Sequence, residues 1–205
     1  MPKHVTLTDI DTDGTLSANS DTKLASQKAT KDYVDNRKMV SIMIDAGGST
    51  FDTTTTETTV LTGGAASIPA GTLNTNGDVI KFEFTGIEAN NTGSAVTFTH
   101  RLKVGGNTLT LFNAYSQASN AFGPWYRVVG EVTRTSDTTM QVSAWLVLTS
   151  ALNTTISQQY INTATWTVSS LASNALSFDY TIQMGTSSAT AQIDPRHSMI
   201  RVERI

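Results

Sequence analysis

The feature that most constrains this chain is a two-residue alternation of apolar and polar side chains. It recurs in Val79-Ile80-Lys81-Phe82-Glu83-Phe84, in Ala95 to Val104 (AVTFTHRLKV), in Trp125 to Arg134 and in Met140 to Thr149. Successive side chains of an extended strand point to opposite faces, so this period describes strands buried on one side and wet on the other. Shorter segments read the same way: Val40 to Ile44, Thr58 to Thr62, Thr108 to Phe112, Thr165 to Val168, Ala175 to Met184 and Ser198 to Ile205. Gly105-Gly106-Asn107 between two of them is a hairpin signal. So many short strands at this spacing predict an antiparallel sandwich or barrel.

Composition supports that reading and narrows the functions. Charged residues are only 15% of 205, against roughly a quarter in ordinary globular chains. Thr, Ser and Asn cover the surface instead, and they suit strands and turns. The net charge is −3 with no Lys/Arg block, so no nucleic-acid partner is expected. With no cysteine, disulfides and thiolate metal sites are ruled out. Met1-Pro2-Lys3-His4 opens no apolar leader segment. No apolar run approaches the ~20 residues of a membrane span.

Helix-compatible sequence concentrates between about Lys23 and Lys38 (KLASQKATKDYVDNRK). Ser20 or Asp21 is the expected cap, and Arg37 and Lys38 suit the negative end of the helix dipole. Leu24, Ala25, Ala29, Tyr33, Val34 and Asn36 fall along one side. A lone helix of about 24 Å is marginal in water. Its narrow stripe fits identical helices around an axis as a short coiled coil, or packing on the chain's own β domain. The expected organisation is therefore residues 1–39 as a docking segment with the helix, and residues 40–205 as a β-sandwich head.

Two stretches resemble phage structural proteins. Thr12 to Asp35 (TDGTLSANSDTKLASQKATKDYVD) is similar to a segment of phage fibre and tail proteins that forms a short trimeric helical neck ahead of a receptor-binding or decorating head. Lys31-Asp32 replaces a small polar pair commoner there. Ile68-Pro69-Ala70-Gly71-Thr72-Leu73, then Asn76-Gly77-Asp78-Val79-Ile80 and Asn90-Asn91-Thr92-Gly93-Ser94, resembles the opening of the jelly-roll heads of phage fibres. The resemblance implies a mainly β, homotrimeric protein of the virion surface with a jelly-roll or TNF-like head. It implies partners among capsid or tail proteins and, for an attachment role, a host surface glycan. The alternatives are a capsid decoration or head-fibre protein cementing the shell, and a free lectin-like carbohydrate-binding module.

Nothing in the sequence assembles a catalytic, cofactor or metal site. Asp9-Ile10-Asp11-Thr12-Asp13-Gly14 superficially suggests a calcium loop, but Ser20 stands where an EF-hand needs a bidentate Glu. His4, His100 and His197 lack ligand spacing. His100 is expected on a sheet face, and Asp194, Arg196 and His197 in a loop before the last strand. No pair of carboxylates stands out for glycan cleavage, so a non-enzymatic protein is expected. Trp125 and Tyr126, after Gly123-Pro124, are the candidate surface aromatics, with core filling as their other reading. The polar run Asp52 to Thr59 reads as an exposed loop or a guarded strand edge.

Overall fold

The computed structural model describes residues 10–12, 24–36, 40–45, 47–119, 124–149 and 156–204. Two short strands, β1 (Ile10–Asp11) and β2 (Leu24–Ala25), pair in parallel, and α1 spans Gln27–Asn36. The helix starts later than expected because Ser26 caps it. The Ser26 Oγ accepts the Ala29 N–H at 2.9 Å, and the Ser26 carbonyl accepts the Thr30 N–H at 2.9 Å. That satisfies donors a first turn otherwise leaves orphaned. Leu24 and Ala25 are thus extended and precede the helix, which corrects its predicted start near Lys23. Ala29 is fully buried, while Val34 is 55% exposed. The side chain of Tyr33, and Ser20, Asp21, Arg37 and Lys38, lie outside the described residues.

Two antiparallel sheets follow. The strands are β3 (Val40–Asp45), β4 (Phe51–Asp52), β5 (Thr58–Thr59), β6 (Ala66–Ile68), β7 (Val79–Asn90), β8 (Val96–Val104), β9 (Asn107–Gln117), β10 (Trp125–Ser136), β11 (Thr139–Thr149), β12 (Ile156–Thr167), β13 (Leu176–Met184) and β14 (Ala191–Glu203). The seven-stranded sheet runs β12-β11-β10-β7-β14-β3, with β4 also on β14. The five-stranded sheet runs β5-β13-β8-β9, with β6 also on β13. β7 pairs with β14 and β8 with β13, a nested return of the chain. β8–β9 and β10–β11–β12 are hairpins between sequence neighbours.

Alternation drives the packing. Met140, Val142, Ala144, Leu146 and Leu148 of β11 are buried, and Gln141, Ser143 and Trp145 between them are exposed. The sheets meet through aromatic rings. Phe82 lies 5.3 Å from Phe178, and Phe84 stacks on Tyr180 at 5.0 Å. Burying each such side chain is worth roughly 1.5–3 kcal/mol, so this seam is a main source of cohesion.

Four strands outrun the sequence expectation: β7 continues past Phe84 to Asn90 and β9 past Phe112 to Gln117, and β12 and β14 start early. β12 begins at Ile156 rather than near Thr165, because as an edge strand it needs few apolar positions: Gln158, Tyr160 and Asn162 are only half-buried. β14 begins at Ala191 rather than Ser198. Pro195 and Arg196 look like breakers, yet a bulge between Pro195 and His197 absorbs them, a position where a strand tolerates proline. Asp194, Arg196 and His197 therefore sit in the strand, not in a loop, and Arg196 pairs with Asp194.

Candidate functional site

The two outer faces of the sandwich differ. On the five-stranded sheet, the polar run before β5 lies across the strands. Glu57 bridges Lys103 at 2.7 Å and Arg101 at 3.2 Å and accepts the Thr181 hydroxyl, and Thr55 accepts Gln183 Nε2 at 3.0 Å through its carbonyl. Burial pushes the Glu57 carboxyl up, but the Lys103 and Thr181 hydrogen bonds and the two cations outweigh it and hold it below the usual range. That face is satisfied by the chain itself.

The seven-stranded sheet is open where β10, β11 and β12 meet. Its register sets Glu131, Ser143 and Thr163 side by side, and Thr133, Gln141 and Thr165 in the next row. These six line a groove of about 510 Å³, within the range of small-molecule sites. Among the described residues, none of the six side chains makes a hydrogen bond or ion pair. The row beyond is apolar: Val129, Trp145 (45% exposed) and Ile161 (59% exposed) are direct cross-strand neighbours. The same row continues through Glu83 and Met199 to Ile44, 65% exposed on β3.

Gly130 makes the sheet continuous beneath this surface. A Cβ there would lie 2.3 Å from the Ser143 carbonyl oxygen and 2.6 Å from the Phe82 ring. Only glycine lets β11 and the core ring approach so closely.

Inside the sandwich lies a polar cluster that the sequence reading missed. Glu88 and His100 are both fully buried, with Oε1 and Nε2 2.6 Å apart. The other ring nitrogen, Nδ1, meets the Tyr180 hydroxyl. Tyr126 packs edge-on to His100 at 5.8 Å, and the Gln117 amide donates to the Glu88 carbonyl at 3.3 Å. The Glu88–His100 contact lies off the hydrogen-bond line, and among the described residues neither Glu88 carboxyl oxygen has a hydrogen-bond partner. Burial, then the Glu88 charge, raises Tyr126 well above the usual phenol range. Burial, then Tyr126 and Glu88, does the same to Tyr180. Tyr115, half-buried nearby, is raised to about 12 by burial and then by Glu88. A solute has no route to these groups as they stand, so the cluster organises the core.

Tyr126 is thus an interior residue, which corrects its reading as a surface aromatic. Trp125 opens β10 and is half-buried, so alternation turns Tyr126 inward, where its hydroxyl fills the space a Gly86 Cβ would need. His100, expected on a sheet face, faces the interior. His4 and, in the Asp9–Gly14 run, Asp9, Asp13 and Gly14 lie outside the described residues. The described residues contain no group of three or more His, Cys, Asp or Glu placed to hold a metal, and no helix long and apolar enough to cross a membrane. The exposed Trp145 went unremarked, although the inward set from Met140 to Leu148 places it outward with Ser143 and Gln141.

No family model and no curated protein matches the sequence. Among solved structures, it is similar to the CBM2 module of the evolved Dit of Lactobacillus casei BL23 phage J-1, at 15% identity, a TM-score of 0.33 and 69% coverage of each chain. A superposition of that quality defines no shared function.

Proposed function

We propose that this chain is a non-enzymatic surface protein of a phage particle, a trimeric short fibre held by its N-terminal segment, whose β-sandwich attaches to the host surface. The observation that carries this reading is the open face of β10–β12, where six polar side chains stand unpaired beside Trp145 and Ile161. On the other outer face the Glu57 segment engages Arg101 and Lys103 of β8, whereas among the described residues nothing engages these six. The resemblance of Thr12 to Asp35 to phage fibre necks supports the particle and the trimer.

Antibodies against residues 40–205 test it. They should label intact particles and block adsorption to host cells. A second reading, capsid decoration, is favoured by the row from Ile44 to Ile161, apolar except at Glu83, which suits a flat protein surface. Labelling of the shell without any block of adsorption would select it, and unlabelled particles would overturn both. Light scattering should give three times the 21.9 kDa chain mass, and a monomer at micromolar concentration would refute the trimer.

A further inference from the structure

We infer that the groove over β11 takes an uncharged oligosaccharide of two or more pyranose rings, a refinement that rests on the attachment reading above. The chemistry of the lining points there. Glu131 and Gln141 offer acceptors and an amide donor, and Ser143, Thr133, Thr163 and Thr165 offer short hydroxyls. This is the inventory that pairs with vicinal sugar hydroxyls, and no internal partner must be displaced first. Trp145 completes it. A pyranose has one face of C–H groups, and the electron-rich face of an exposed indole attracts their slightly positive hydrogens while shedding water.

Charge decides the class. Among the described residues, Glu131 is the only ionisable side chain in the lining. The cations near it among the described residues are already engaged: Lys81, opposite Glu131 on β7, lies 2.6 Å from Glu203, Arg201 beside Lys81 lies 3.2 Å from the same carboxylate, and Arg127 lies 2.8 Å from Glu83. A carboxylated or phosphorylated glycan would meet Glu131 with no uncommitted cation beside it among the described residues, which is rejection by like charge. Length follows from the strand. From Trp145 to Gln141, β11 runs about 14 Å, longer than one sugar ring. One ring on Trp145 leaves the polar floor around Ser143 for the next.

The test titrates the full chain against neutral hexose oligomers of one to four rings, uronic-acid oligomers and a polyol phosphate, by calorimetry. The neutral series should bind, tightening from one ring to three, with the anionic probes at least about tenfold weaker. Trp145→Ala should weaken neutral binding by at least about tenfold, and Ser143→Tyr should block the floor. Both changes are on the outer face, and an unchanged thermal melt confirms folding. Glu131→Lys should shift preference towards the anionic probes. Equal or tighter anionic binding by the native chain overturns the proposal, as does neutral binding indifferent to Trp145→Ala. Absence of binding to every probe, while labelled protein still adheres to host cells, overturns the saccharide site and leaves the attachment reading standing. Absence of cell adhesion as well overturns both.

Discussion

Replacing His100 by Leu should expose how heavily the core depends on the Glu88–His100 pair. Both side chains are fully buried, and the His100 ring at 2.6 Å is the compensation the Glu88 carboxylate has among the described residues, since neither oxygen accepts a hydrogen bond. Removing one member of such a buried pair typically costs about 3–5 kcal/mol, because the other is left without its partner. The Tyr180 hydroxyl loses its partner in the same step, at about 1 kcal/mol more. For a chain of this size each kcal/mol moves the melting point by about 2–4 °C, so His100→Leu should melt roughly 8–24 °C lower. The triple variant Glu88→Leu/His100→Leu/Tyr180→Phe removes both groups that the single change strands. Buried pairs replaced by apolar side chains of similar volume are often neutral or stabilising, so the triple variant should return to within about 1 kcal/mol of the native chain or exceed it. Urea unfolding of the three proteins measures this. A loss below about 1 kcal/mol in the single variant, or a triple variant no better than the single, would refute the reasoning.

Alkaline unfolding should follow the buried phenols. Tyr115, Tyr126 and Tyr180 are raised above their unfolded value near 10. Their contribution is therefore complete below about pH 10 and is lost as pH rises through the folded values, for Tyr115 about 12. A urea midpoint flat from pH 9 to 12 would contradict this. At the acid end Glu57 is lowered, so its contribution is present above about pH 4.3 and is lost as pH falls through its folded value. Asp179, raised chiefly by burial, works in the opposite sense. Glu57→Gln should flatten the acid limb of a pH–melting curve, and an unchanged limb would count against the Lys103 and Arg101 bridge. Gly130→Ala should lose about 1–3 kcal/mol, because the backbone oxygen of Ser143 stands where its Cβ must go. Thermal denaturation with no measurable drop would show that β10 and β11 can part cheaply.

Legibility in the sequence tracked how one-sided each strand is. β7, β8, β10 and β11 alternate cleanly, and the chain writes their inward set in Phe, Val, Leu and Met. β12 was half-missed because an edge strand facing partly polar neighbours has no apolar set to read. β14 was shortened because Pro195 signals a break, and only a bulge opposite Gly86 lets the strand continue. Glu88 was lost with the end of β7. The alternation looks finished at Phe84, yet Gly86, Glu88 and Asn90 keep the inward phase with polar or absent side chains. The helix start shifted by the choice among serines: Ser20 and Ser26 are equal as residues, and the Ala29 amide selects Ser26. Of the groove, the outward Trp145 was readable from β11 alone. The alignment of Glu131, Ser143 and Thr163 was not, because it depends on register across three strands.

The position of β14 has a consequence for synthesis on the ribosome. This strand lies between β7 and β3, and it pairs with β7 along nearly its whole length, from Ala191 opposite Asn90 to Glu203 opposite Val79. While the nascent chain grows, β7 presents a long bare edge and the inner phenylalanines lack half their cover. The sheet cannot close until residue 203 has emerged. Pairing over such separations is slow because the loop entropy is met before the contacts form, and open edges of this kind recruit other chains. Neighbouring copies made on one polysome are the nearest recruits, so yield on expression should depend more on slow translation and low temperature than on the stability of the finished protein.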